Sequence, residues 1–152
     1  MRTISEIMTR DVQVVAPDDK VQDAAQLMRD LDIGVVPVCN GRRLVGMLTD
    51  RDIAIRAVAQ NKGSSDLRVA DIMSDRVLWC YADQTAGEIL QQMGDEQVRR
   101  IPVVDRNMEL VGLVSLGDLA TEPGIDVENA LDEISSPVAS APKRSGKRPS
   151  LH

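Results

Sequence analysis

Two stretches decide the reading of this chain: Leu44-Val45-Gly46-Met47-Leu48-Thr49-Asp50-Arg51-Asp52 and Leu110-Val111-Gly112-Leu113-Val114-Ser115-Leu116-Gly117-Asp118. Each is an apolar run that ends in a hydroxyl, with an acid three residues later. That pattern predicts a strand passing into the first turn of a helix. The two stretches lie 66 residues apart, and 5 of 11 positions in 44–54 recur in 110–120. Upstream, at an offset of 65, 9 of 32 positions in 7–38 recur, among them Ile7-Met8 on Ile72-Met73, Met28 on Met93, and Pro37-Val38 on Pro102-Val103. Unrelated sequences of average composition share roughly one residue in fifteen. The chain therefore carries an internal duplication.

Both copies predict the same order of elements. A short strand comes first, at 12–15 and at 77–81. An amphipathic helix follows: Val21, Ala24, Ala25, Met28 and Leu31 share one face, as do Ala86, Ile89, Leu90 and Met93. Thr85 and Glu88 have capping-box spacing, and Asp18 or Asp19 is the expected cap in the first copy. Apolar runs 35–39 and 44–48 flank Asn40-Gly41, a hairpin signal; runs 101–104 and 110–114 flank a longer turn, Asp105 to Glu109. A second helix begins near Asp50 and near Leu116. Pro37 and Pro102 lack an N–H, so they are expected at edge positions or strand starts.

The fold class expected is α+β: two β-α-β-β-α repeats packed about a pseudo-twofold axis. Repeat 1 spans 3–60, a polar linker 61–69, and repeat 2 70–122. A helical segment follows at 123–134, and the tail, 135–152, reads as disordered.

Composition removes several function classes. The single histidine, His152, is the final residue, so no internal imidazole can act as general base or metal ligand. Cys39 and Cys80 stand 41 residues apart with no paired-cysteine motif, which reads as two buried free thiols in a reducing compartment. No apolar run is long enough to cross a membrane, and the N-terminus lacks a signal core, so a cytoplasmic location is expected. Net charge is −6, and the tail carries Lys143, Arg144, Lys147 and Arg148 with no acid. Residues 1–134 therefore hold 14 basic and 24 acidic side chains, a net −10 that repels a phosphate backbone. Nucleic acid is a poor partner for the folded part.

The recurring polar element is the place for chemistry. The N–H groups at a helix start can hold a phosphate, and a carboxylate there can accept from two sugar hydroxyls. Thr49 with Asp52, and Ser115 with Asp118, fit that use; they also fit plain helix capping. Arg99 and Arg100 enter a strand beside such a start and form a candidate phosphate clamp, or are surface arginines with buried stems. Arg51 opposes the helix dipole unless Asp50 and Asp52 compensate it or it faces an anion. With no internal His, no Gly-rich phosphate loop and no metal cluster, an enzyme is disfavoured.

The doubled pattern resembles a tandem pair of cystathionine-β-synthase-type (CBS) domains of the stand-alone bacterial kind. The likeness rests on Glu6-Ile7-Met8 and Asp71-Ile72-Met73, the two Pro-Val steps, and the two Leu-Val-Gly-x-x-Thr/Ser-x-x-Asp runs, over about residues 3–122. The resemblance implies a non-catalytic regulatory module that dimerises and passes its ligand state to an effector protein. It implies an adenosine ligand (AMP, ADP, ATP, S-adenosylmethionine or NAD) in clefts between repeats, and no obligatory cofactor. By the same resemblance Asp52 with Thr49, and Asp118 with Ser115, would hold ribose, and Arg100 would meet phosphate. Copy one departs here, with Val35 in place of that arginine, which leaves Arg51 or Arg100 to reach its cleft. Residues Thr9 to Val12 would line the Asp118 cleft, and Ser74 to Val77 the Asp52 cleft. The alternative is a CBS-fold structural or interaction module that binds no nucleotide.

Overall fold

The computed structural model describes residues 2–60 and 66–123 of the chain. Part of the expected linker (61–65), most of the expected helical segment (124–134) and the tail (135–152) lie outside these residues. The chain divides into two compact units that do not follow the repeat boundaries. One runs Val12–Val77; the other joins the residues up to Asp11 to those from Leu78 onward. Each repeat's opening segment thus belongs with the body of the other repeat.

The first unit begins with helix α2 (Val21–Leu31), which follows the short helix α1 (Ile4–Ile7) of the other unit. Strands β1 (Val35–Asn40) and β2 (Arg43–Thr49) form an antiparallel hairpin through Asn40 and Arg43. Gly41 supplies the positive φ of 64° that this tight turn requires. Helix α3 (Asp50–Asp52) runs into a π-helical turn, Ile53–Ala57. Helix α4 (Val69–Ile72) closes the unit. Its Val69 and Ile72 are fully buried with Val21, Val36, Val38 and Leu48. Leu67 joins that core, although it falls within the expected polar linker.

The second unit repeats the plan with β3 (Cys80–Tyr81), α5 (Ala86–Glu96), β4 (Arg100–Val104), β5 (Leu110–Ser115) and α6 (Leu116–Ala120). Its sheet has the order β3-β4-β5, with β3 parallel and β5 antiparallel to β4. The core gathers Ile89, Met93, Ile101, Val103 and Leu119, together with Ile4 and Met8 from the chain's start. The turn between β4 and β5 is held by the Asp105 carboxylate, which accepts from the N–H groups of Asn107 (2.8 Å) and Glu109 (3.0 Å).

Three local expectations are corrected. The strand at 12–15 reduces to one parallel bridge, Val15 to Val38, and the strand at 77–81 begins only at Cys80. Pro37 stands inside β1, an edge strand of its two-stranded sheet as expected, but Pro102 stands inside β4, the central strand of its sheet. The two corrections share a cause. Val15 N–H donates to Pro37 O (3.1 Å) and Cys39 N–H donates to Val15 O (2.9 Å). Extending that parallel ladder backward needs an N–H on residue 37, which proline lacks. The third concerns capping of α2. Lys20 is the N-cap residue, and Asp19 instead accepts from Ala16 N–H at 2.8 Å. Thr85 caps α5 as expected, its hydroxyl accepting from Glu88 N–H at 3.3 Å.

Candidate functional site

In the second unit, β5 carries the chain straight into α6, and Ser115 and Asp118 cap that step reciprocally. Ser115 Oγ accepts from Asp118 N–H (3.1 Å), and Asp118 Oδ2 accepts from Ser115 N–H (2.9 Å). Capping thus uses one carboxylate oxygen. Oδ1 of Asp118 takes no hydrogen bond or ion pair from the described residues, and the Ser115 hydroxyl keeps its proton to donate. Strand register sets Arg100 directly opposite Ser115. The Arg99 carbonyl accepts from Leu116 N–H at 2.8 Å, so both arginines spring from backbone that flanks the capped turn. Both are exposed.

The other edge of β5 receives the chain's opening segment. Thr9 and Leu113 exchange two backbone hydrogen bonds of 2.9 Å. Gly112 makes this approach possible: a Cβ there would lie 2.8 Å from Thr9 O and 2.5 Å from Met8 Sδ. Thr9, Arg99, Arg100, Ser115 and Asp118 are therefore brought together in one unit.

The first unit builds the same frame with different side chains. Thr49 Oγ1 accepts from Asp52 N–H and Asp52 Oδ2 accepts from Thr49 N–H, both at 3.0 Å. Met47 and Ser74 exchange backbone hydrogen bonds of 2.9 Å across Gly46, where a Cβ would lie 2.7 Å from Ser74 O. Opposite Thr49 stands Val35, and the Gly34 carbonyl accepts from Asp50 N–H at 3.0 Å. Val77 belongs to this unit, whereas Val12 falls in the unit that lacks Asp118. Arg51 is exposed in the first turn.

Arg56 was not singled out by the sequence pattern. Its guanidinium donates to the carbonyls of Ile72 (3.1 Å) and Met73 (3.2 Å), closing the end of α4, and its Nε lies 3.9 Å from Asp52 Oδ1. The repeat puts Glu122 at the matching place. There the roles are exchanged: Arg2 donates to Glu6 O (2.9 Å) at the end of α1 and pairs with the buried Glu122 at 3.1 Å. The sequence signal was present as an Arg/Glu mismatch at offset 66, but it has meaning only once α1 and α4 have docked. Among the described residues no group of three or more His, Cys, Asp or Glu is placed to hold a metal ion. No described helix is long and apolar enough to cross a membrane.

Two units on one duplicated α+β plan, each with a hydroxyl–acid turn at the end of a strand, define a tandem-repeat module. The CBS domain matches residues 4–58 and 69–125, and the chain belongs to that family. The CBS domain-containing protein YhcV of Bacillus subtilis is 40% identical over 120 residues, covering 79% of this chain and 84% of that protein. The solved structure of Hypoxic Response Protein I with two coordinated zinc ions is 37% identical, with a TM-score of 0.72, covering 79% of this chain and 98% of that one. The CBS domain pair of protein MJ0100, solved in complex with 5′-methylthioadenosine and S-adenosyl-L-methionine, is 25% identical with a TM-score of 0.67. That match covers 78% of this chain and 97% of that one.

Proposed function

We propose that this chain is a non-catalytic regulatory module that binds an adenosine-containing ligand beside its capped strand ends. The observation that carries the reading is Asp118, whose Oδ2 is used by the cap while Oδ1 is left for a ligand, with Arg99 and Arg100 beside it. A carboxylate so placed accepts from the two hydroxyls of a ribose, and the arginines balance a phosphate. The MJ0100 pair, solved with two adenosine compounds, supports the ligand class.

Signalling follows by population shift. A ligand that touches both Thr9 and Asp118 favours arrangements in which the opening segment stays docked on β5. It shifts the equilibrium only by its difference in affinity between arrangements. The output passes to an effector protein, with the chain acting as a homodimer.

Thermal unfolding of the purified chain with and without millimolar AMP, ATP, 5′-methylthioadenosine and S-adenosylmethionine tests this. A binder raises Tm progressively once ligand exceeds Kd. No shift with any of the four refutes the reading in favour of a module that binds no nucleotide.

A further inference from the structure

We infer, resting on the reading above, that the two units select different adenosine ligands. The unit with Asp118 takes a ligand bearing a phosphate, and the unit with Asp52 takes a neutral or cationic ligand without one. The backbone frames match, so the difference lies in side chains at equivalent places. Arg100 faces Ser115 where Val35 faces Thr49. The residue whose carbonyl accepts from the first helical N–H is Arg99 in one unit and Gly34 in the other. The residue carrying that N–H is Leu116 in one and Asp50 in the other.

Asp50 also occupies the space in question. A Cβ on Gly34 would stand 3.2 Å from Asp50 Oδ2, so a carboxylate lies where the Arg99 side chain begins in the other unit. A phosphate entering there meets Asp50 and Asp52 together, and like charges at short range oppose it. Arg56 does not offset this. Its Nη1 is committed to the Ile72 and Met73 carbonyls, and its Nε faces the very oxygen of Asp52 that a ribose would use, so its charge is matched by Asp52. A ligand for this unit must do without phosphate contacts, and a positive charge on it gains from Asp50.

Calorimetric titration of the full chain with AMP and, separately, with 5′-methylthioadenosine tests the assignment. Asp118→Asn and Asp52→Asn are the suitable variants, because the amide oxygen still accepts the capping N–H. Asp118→Asn and Arg100→Ala are each expected to weaken AMP about tenfold or more. Asp52→Asn is expected to weaken 5′-methylthioadenosine by a similar factor. AMP affinity should fall with added salt while 5′-methylthioadenosine affinity holds. The double substitution Val35→Arg with Asp50→Asn should raise AMP stoichiometry from one to two per chain. Loss of AMP in Asp52→Asn, which capture of phosphate by Arg51 would give, overturns the inference but leaves the proposed function standing. So does loss of both ligands with either Asn variant. Binding of neither ligand to the unaltered chain overturns the inference, and the absence of binding by ATP and S-adenosylmethionine as well overturns both.

Discussion

Replacing Gly112 by alanine should break the contact on which the second unit depends. The new methyl would sit 2.8 Å from Thr9 O and within 2.9 Å of Met8 Cγ. The methionine side chain can swing aside; the Thr9 carbonyl cannot move without giving up its bond to Leu113 N–H. Two backbone hydrogen bonds join Thr9 and Leu113, each at 2.9 Å, and each contributes about 0.5–1.5 kcal/mol. Forcing a methyl into a packed contact costs a further ~1–3 kcal/mol. Alanine stiffens the unfolded chain, which returns about 0.4–1 kcal/mol. The balance is a loss of about 1–5 kcal/mol, centred near ~3 kcal/mol.

Gly117 provides the control in the same short segment. A Cβ there meets only Ser115 Oγ, at 3.6 Å, an ordinary contact. Within α6, alanine is the better helix former by about 0.8–1 kcal/mol. Gly117→Ala should therefore leave stability unchanged or raised, and Gly46→Ala should behave like Gly112→Ala, because Ser74 O lies 2.7 Å from its Cβ position. Urea unfolding followed by circular dichroism gives the three values. A Gly112→Ala protein within about 0.5 kcal/mol of the parent, inside the range of an ordinary surface change, would refute the claim that the glycine exists for this approach.

Two further outcomes follow from buried groups. Burial pushes the Cys39 thiol up to about 11, so it should resist thiol reagents at neutral pH until the protein unfolds. A raised folded pKa means this contribution to stability is whole below the ordinary value of 9.0 and is lost as pH climbs toward 11, which unfolding curves across pH 8–11 will show. Arg2→Ala strips the partner from the buried Glu122 carboxylate and should cost about 2–3 kcal/mol. Glu122→Ala only releases the half-exposed Arg2 to water and should cost about 1 kcal/mol or less in the same assay. Equal losses would show that the pair is symmetric and the carboxylate adequately hydrated.

The hairpins, the helices and both capped turns were legible in the sequence because each is encoded locally. Asn40-Gly41 fixes one turn, and the apolar spacing from Val21 to Met28 fixes one helix face, although Leu31, expected on that face, is 45% exposed and Leu27 packs on the core instead. The first strands were misread, since Val12 and Val14 carry strand character that no partner uses; Val14 stays 40% exposed. The missing N–H of Pro37 decided that point, and its effect depends on which strand lies alongside. The destination of α1 and α4 was equally hidden. Ile4 and Ile7 advertise an apolar face but not the sheet that will receive it. Besides the Arg56/Glu122 mismatch, the trace of that docking was the glycine in each Leu-Val-Gly run, which reads as a weak strand residue until another backbone is laid across it.

Under the proposed function, that docking is also what would let the capped turn sense a ligand. Ser115 and Asp118 lie in one short stretch and would hold their cap whatever happened elsewhere. Thr9 is more than a hundred residues earlier, joined to Leu113 by a single pair of backbone bonds and clamped from behind by Arg2 on Glu122. Ile4 and Met8 ahead of it are buried in the core, so the part of this attachment that a ligand can reinforce is the Thr9–Leu113 pair, worth about 1–3 kcal/mol. A ligand held at Asp118 and in contact with Thr9 adds its binding free energy to that attachment and to no local element. Ligand binding should therefore show first as slowed amide exchange at Thr9 and Leu113, and least at the α5 amides that are already secured by their own helix. Uniform protection across the unit would mean that the ligand stabilises the fold as a whole and that the opening segment transmits nothing.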